Sequence, residues 1–150
     1  MAQSLSTVAI HVIFSTQFRF PYLKSEYRSE LFSYLTGIAK KNFSDVYEVG
    51  GIEDHIHILC GLPRTMSIAK LVEHLKRSSS KWLKTKNDTL RAFAWQSGYG
   101  VFSVSPSKID VVRRYIRGQE QHHKRSTFQN ELLAFLKSSG TQFDEKYLWD

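Results

Sequence analysis

Hydrophobic residues alternate along "STVAIHVIFSTQ", with Val8, Ile10, Val12 and Phe14 on one side of an extended chain and Ala9, His11 and Ile13 on the other. Side chains on a strand point alternately to opposite faces, so this stretch predicts a first strand. The period then changes. In "LKSEYRSELFSYLTGIAKKNF" the apolar positions Leu31, Leu35, Ile38 and Ala39 recur at helical intervals, with Ser25 placed to cap the first turn. "DVYEVGGIEDHIHILCGLP" returns to extended patterning as two strands, Val46–Val49 and His55–Leu59, turned by Gly50-Gly51 and stopped by Gly61 and Pro63.

Further along, "SIAKLVEHLKRSSSKWLKTK" gathers Ile68, Leu71, Val72, Leu75, Trp82 and Leu83 on one helical face, with Lys70, Lys76, Arg77, Lys81, Lys84 and Lys86 largely outside it. "FAWQSGYGVFSVSPS" gives a fourth strand region with a turn or loop at Gly98–Gly100. "SKIDVVRRYIRGQEQHHK" and "TFQNELLAFLKSSG" are two further helices, and "EKYLW" is an apolar tail expected to dock. Strand, helix, strand, strand, helix, strand, then extra C-terminal helices: this order predicts an α+β, ferredoxin-like (split βαβ) fold, an antiparallel sheet with helices on one face. The first and third strands are central neighbours in that topology.

At 150 residues the chain predicts one domain spanning 1–150. Twenty-one Lys and Arg against fourteen Asp and Glu give a net charge of +7, which favours a polyanionic partner. No apolar run approaches the roughly 20 residues a membrane span needs. "MAQSLSTVAIHVIF" lacks the basic segment and cleavage site of a secretory leader, so the expected compartment is the cytoplasm. The lone Cys60 shares the register of Ile56 and Ile58 and reads as a small core residue.

Two patterns carry chemistry. In "DHIHIL" the side chains of His55 and His57 share one face, about 6–7 Å apart along the strand, a spacing at which two imidazoles can hold one metal ion. His11 joins them if the strand registers agree, on the face expected to stay free of helices. A half-buried strand with a polar outer face has the same pattern. In "SKIDVVRRYIRGQEQHH" a helical wheel puts Ile109, Val112 and Ile116 in an apolar stripe and Arg113, Arg114 and Arg117 on another side. Tyr115, Gln119 and His122 fall within one narrow arc, so a phenol and an amide oxygen stack at i and i+4. A tyrosine beside an apolar stripe also serves as ordinary packing.

Together "DHIHIL" and "YIRGQ" resemble the HUH-type single-tyrosine transposases of bacterial insertion sequences, including the REP-associated tyrosine transposases. The likeness runs from "HVIFSTQFR" through "LKRSSSKW", "WQSGYGVFSVS" and "YIRGQEQHH" to "YLW". It implies that Tyr115 is a nucleophile, that His55, His57 and Gln119 hold a divalent metal, Mg²⁺ or Mn²⁺, and that His11 and His122 stand behind them. The implied reaction cuts and rejoins single-stranded DNA at hairpin-marked ends through a 5′-phosphotyrosine, with no need of ATP. Candidate DNA contacts are Lys76, Arg77, Lys81, Arg113, Arg114 and Arg117, while Trp95, Tyr99 and Phe102 offer stacking surfaces or belong to the core. The resemblance further implies a homodimer in which one subunit's tyrosine helix reaches its partner's H-x-H strand, connected through Gly98, Gly100 and Pro106. Two other readings stay open: a non-catalytic nucleic-acid-binding module on a ferredoxin-like sheet, and a metal-dependent nuclease processing chromosomal repeats in which Tyr115 only packs. The first lacks the aromatic strand motif of such modules; a covalent protein–DNA adduct separates the second.

Overall fold

Four strands hydrogen-bond in the computed structural model, which describes residues 2–42, 45–146, 148 and 149: β1 (Ala9–Ser15), β2 (Val46–Gly51), β3 (His55–Gly61) and β4 (Gly100–Val104). Their order is β2-β3-β1-β4, with every pairing antiparallel and β1 and β3 at the centre, as the ferredoxin-like reading requires. Helices α1 (Ser25–Asn42) and α2 (Ile68–Lys84) follow β1 and β3. Ile10, Val12 and Phe14 of β1 and Ile56, Ile58 and Cys60 of β3 project to one face. There they meet Leu31, Leu35 and Ala39 of α1 and Leu71, Val72, Leu75 and Leu83 of α2, forming the main core. Ser67 caps α2 by accepting a hydrogen bond from the Lys70 amide.

The opposite face differs from the expectation of an open sheet. Helices α3 (Ile109–Arg117), α4 (Gln119–His122) and α5 (Phe128–Ser139) cover it. Phe128, Leu132 and Leu136 of α5 recur at every fourth residue, and they build a second core around Ile13 with Phe102, Phe135, Leu148 and Trp149. An apolar stripe on a helix must bury somewhere, and here the histidine-bearing face receives it. Leu148 and Trp149 dock as the tail was expected to; Tyr147 of that tail and Phe43 after α1 lie outside the described residues. Trp95 and Phe102 are core: Trp95 sits edge-on to Phe14 with its indole N–H donating to Ser79, and Phe102 stacks on Phe135. Tyr99 alone of the three candidate stacking aromatics is exposed, at 43%.

Gly50 and Gly51 do not form the hairpin turn. They pair with His57 and Ile56 inside the sheet, and residues 52–54 make the turn. Gly50 is needed for a close approach, because a Cβ there would lie 2.6 Å from the Ile116 carbonyl oxygen of α3. Gly118 separates α3 from α4, yet the amides of Gly118 and His122 still bond to the carbonyls of Arg114 and Gly118, each at 3.0 Å, so Tyr115 and Gln119 keep their stacked placement. No helix among the described residues is long and apolar enough to cross a membrane.

Burial pushes the Cys60 thiol up to about 12, where its reactive thiolate is scarce near neutrality. Native protein should therefore resist a thiol reagent at pH 8, and denaturant should expose one reactive thiol per chain. Fast labelling of the folded protein would contradict the burial of Cys60 beneath α1 and α2.

Candidate functional site

The register of the central strands sets His11 opposite Leu59, Ile13 opposite His57 and Ser15 opposite His55, so His11, His55 and His57 share the face under α3–α5. All three are buried to within 1%. Buried imidazoles need partners at both ring nitrogens, and here one nitrogen of each metal-candidate ring is taken. His55 Nδ1 lies 2.8 Å from Asp54 Oδ1, and His57 Nδ1 lies 2.8 Å from His11 Nε2. A third ring behaves alike: His123, just after α4, has Nδ1 2.6 Å from the Ser126 carbonyl oxygen. A cation among the rings would place the Nδ1 protons in these contacts and turn each Nε2 lone pair inward.

The three Nε2 atoms converge on Glu131 of α5. His57 Nε2 is 2.5 Å from Glu131 Oε1, His55 Nε2 is 3.7 Å from Oε2, and His123 Nε2 touches Oε2. Ligand-capable atoms of His55, His57, His123 and Glu131 all lie within 4.8 Å of one another, a group that could hold a metal ion. His57 Nε2, His123 Nε2 and both Glu131 oxygens are sealed from solvent without hydrogen-bond geometry among themselves. Atoms crowded head-on in this way have the disposition of ligands around a cation. Gln119 belongs to the same cluster, with Oε1 3.1 Å from His55 Nε2.

Charge and burial shape the protonation of the site. Burial, reinforced by the neighbouring His57, lowers His11 to about 3; burial, partly offset by Glu131, lowers His57 to about 4. Both rings are thus neutral near pH 7, the form that ligates metals. For Glu131, burial favours the acid, but contacts with His123 and His57 outweigh it and hold the carboxyl well below its ordinary range. Burial also depresses His123, yet the Glu131 carboxylate overcomes this and raises it. The Tyr115 ring lies 5.7 Å from His57 and 6.4 Å from His11, centroid to centroid. Burial and the adjacent Glu131 carboxylate raise its phenol above 10, with Gln119 opposing. A cation placed among these groups would offset the carboxylate's charge and favour the phenolate. A cavity of about 350 Å³ beside Tyr115, lined by His122, Asn130, Glu131 and Phe135 among others, gives the phenol access to solvent.

The structure therefore brings together His11, His55, His57, Tyr115, Gln119 and His122, whose Nε2 is 3.8 Å from Glu131 Oε2. His123 and Glu131 were not foreseen. Glu131 carried a signal, an acid inside the apolar spacing of Phe128, Leu132, Phe135 and Leu136; His123 was hidden by its equally polar neighbour His122. The six candidate DNA contacts divide. Lys76, Arg77 and Lys81 lie on α2, behind the sheet from the histidines. Lys76 donates to the carbonyls of Gln96 and Gly98 at 2.7 and 2.8 Å, and burial lowers it to about 8, so it fastens the loop before β4. Arg77 pairs with Glu73, and Arg117 with Glu48. Arg113 sits 3.8 Å from Asp110, while Arg114 is exposed on the tyrosine helix.

A family model described as "Transposase IS200 like" matches residues 4–119. The chain is 25% identical over 119 residues to the ISDra2 transposase TnpA of Deinococcus radiodurans, covering 76% of this chain and 84% of that protein. It also resembles a crystal structure assigned as a transposase from Deinococcus radiodurans R1, with TM-score 0.61 and 24% identity over 79% of this chain and 98% of the other. The structure of a REP-associated tyrosine transposase bound to a REP hairpin shares the fold, with TM-score 0.58 and 12% identity over 82% of this chain and 74% of that one.

Two outcomes follow from the inner contacts. Asp54→Ala should weaken Mn²⁺ binding by about 10- to 100-fold in a calorimetric titration, the usual range for losing the partner that orients a ligating histidine; an unchanged affinity would remove that role. His11 is held below its unfolded value of 6.5 at about 3, so it contributes stability present above 6.5 and lost as pH falls towards 3. His11→Gln should make the acid loss of stability shallower across that window in urea titrations.

Proposed function

This chain belongs to the IS200-like transposase family, and from that premise we propose that it cuts and rejoins single-stranded DNA at hairpin-marked ends through Tyr115. The observation that carries the reading is the convergence of three histidine Nε2 atoms beside Gln119, with the Tyr115 ring set edge-on to His57 at 5.7 Å between centroids. His55, His57 and Gln119 would hold a divalent ion, Mg²⁺ or Mn²⁺, with Glu131 and His123 available to complete the donor set. Mixed nitrogen and oxygen donors suit such ions better than a thiolate site would. When bound, the ion supplies Lewis acidity towards a phosphate oxygen and favours the ionised phenol.

The chain's own groups do the rest. Asp54 and the Ser126 carbonyl fix the His55 and His123 rings by accepting their Nδ1 protons, and His11 does the same for His57. Tyr115 gives its proton to water, its oxygen bonds to phosphorus, the bond from phosphorus to the 3′-oxygen breaks, and that oxygen takes up a proton from water, so no net proton is consumed. The product is a 5′-phosphotyrosine and a free 3′-OH. Because the phosphotyrosine keeps the energy of the broken diester, another 3′-OH can reseal the strand by the reverse steps. Arg113 and Arg114 are on the same helix as Tyr115, on the histidine side of the sheet, and suit the phosphate backbone next to the cut.

The sequence resemblance implied a site shared across a homodimer. Within one chain the Tyr115 ring already meets His57 and His11 edge-on, so we assign the attack to the chain's own tyrosine, whether or not two copies associate. The nuclease reading, with Tyr115 as packing only, makes a different prediction. Tyr115→Phe should abolish a denaturant-stable protein–DNA adduct on a hairpin oligonucleotide while leaving binding within about twofold, since it removes no charge. An adduct that persists in Tyr115→Phe would transfer the nucleophile elsewhere. For the cis assignment, a His55→Ala/His57→Ala chain mixed with a Tyr115→Phe chain should stay inactive after subunit exchange; recovered cleavage would restore the shared site.

A further inference from the structure

Four residues separate helix α3 from the edge strand β4, yet its last turn rests on β2 at the opposite edge. Nine residues rise about 13 Å, close to the roughly 14 Å across three strand spacings, so the helix is long enough to bridge the sheet across its strands. Its far end is fixed by contacts made by the residues that follow Tyr115 in sequence. Ile116 lies against Gly50, where a Cβ would meet the Ile116 carbonyl oxygen at 2.6 Å and its Cγ2 at 2.8 Å. Arg117 donates from Nε and Nη2 to Glu48 Oε1 at 2.9 and 2.7 Å. Just beyond, Glu120 Oε1 accepts from Arg28 Nη2 of α1 at 2.9 Å, around the same edge of the sheet.

We infer that β2 is the seat that fixes the tyrosine helix over its own chain's histidines, with Gly50 and Glu48 as positioning residues for Tyr115. This rests on the reading of Tyr115 as nucleophile. Gly50 stands directly opposite His57 in the sheet, so the surface that seats the helix and the strand that carries the imidazole are registered to each other. Glu48 and Gly50 both face the helix because they are two apart on one strand. Displacing the last turn of α3 moves the phenol relative to His57, while the histidines, held by Asp54, His11 and Ser126, stay in place. Arg117 thus serves this seat in preference to the DNA contact expected of it.

The test uses the full chain with Glu48→Arg, Arg117→Glu, the double swap Glu48→Arg/Arg117→Glu, and Gly50→Ala. Each is measured for single-turnover adduct formation on a saturating hairpin oligonucleotide, Mn²⁺ affinity, melting temperature, and hydrogen exchange of amides 113–117. Each single charge reversal should slow adduct formation by about fivefold or more, as small misplacements of a reacting group do. Amides 113–117 should exchange faster, with melting temperature close to wild type and Mn²⁺ still bound through His55 and His57, more weakly to the extent that Gln119 moves with the helix. The double swap should restore both rate and protection, and Gly50→Ala should slow the adduct by at least about tenfold. Wild-type rates and exchange in the single reversals, or a swap that rescues neither, would overturn the seat. If the wild type formed no adduct, the tyrosine chemistry would fall, while lost protection in the single variants and its recovery in the swap would still uphold the seat as the device that fixes α3.

Discussion

Buried imidazoles need partners for their ring nitrogens, and the rest of this molecule is arranged to hold one nitrogen of each of His55, His57 and His123. Asp54 comes from the hairpin turn, His11 from the neighbouring strand, and Ser126 from the segment joining α4 to α5. Each takes an Nδ1 and turns an Nε2 towards Glu131. The carboxylate is kept ionised by the same rings it faces. A layer of helices had to be laid over the histidine face to make these contacts dry, and the second core around Ile13, Phe128 and Leu132 supplies the apolar burial that holds it down.

That cover explains how much was legible beforehand. The alternation in β1, the helical stripes of α1 and α2 and the H-x-H strand each announce themselves within a short window, because each element's inward face is set by its own period. The joint placement of Tyr115 and Gln119 was readable for the same reason, since one helical turn fixes it. What escaped depended on contacts distant in sequence. Gly50 and Gly51 look like a turn from their composition, and only the arrival of Ile116, more than sixty residues later, shows why a strand carries them. Glu131 lies on a helix whose stripe predicts burial but not what it buries against.

Charge was the least transferable signal. The excess of basic residues is real, yet Lys76 is spent on loop carbonyls and Arg117 on Glu48, while α2 faces away from the histidines. A count of cations along a helix says nothing about which side of a sheet they reach. The basic groups on the nucleophile's own side of the sheet, Arg113 and Arg114, immediately precede Tyr115 on α3, so orientation of a DNA strand and placement of the phenol are coupled through that helix.

Anomalous diffraction from crystals soaked in Mn²⁺ tests the reading of the histidine cluster most directly. The expected result is one strong peak bounded by His55 Nε2, His57 Nε2 and Gln119 Oε1, about 2.0–2.3 Å from each in line with metal–ligand bond lengths for nitrogen and oxygen donors. The peak should vanish in His55→Ala/His57→Ala crystals of unchanged fold. Ordered crystals at saturating Mn²⁺ with no peak in that position would contradict the metal centre and leave the cluster as a purely structural network.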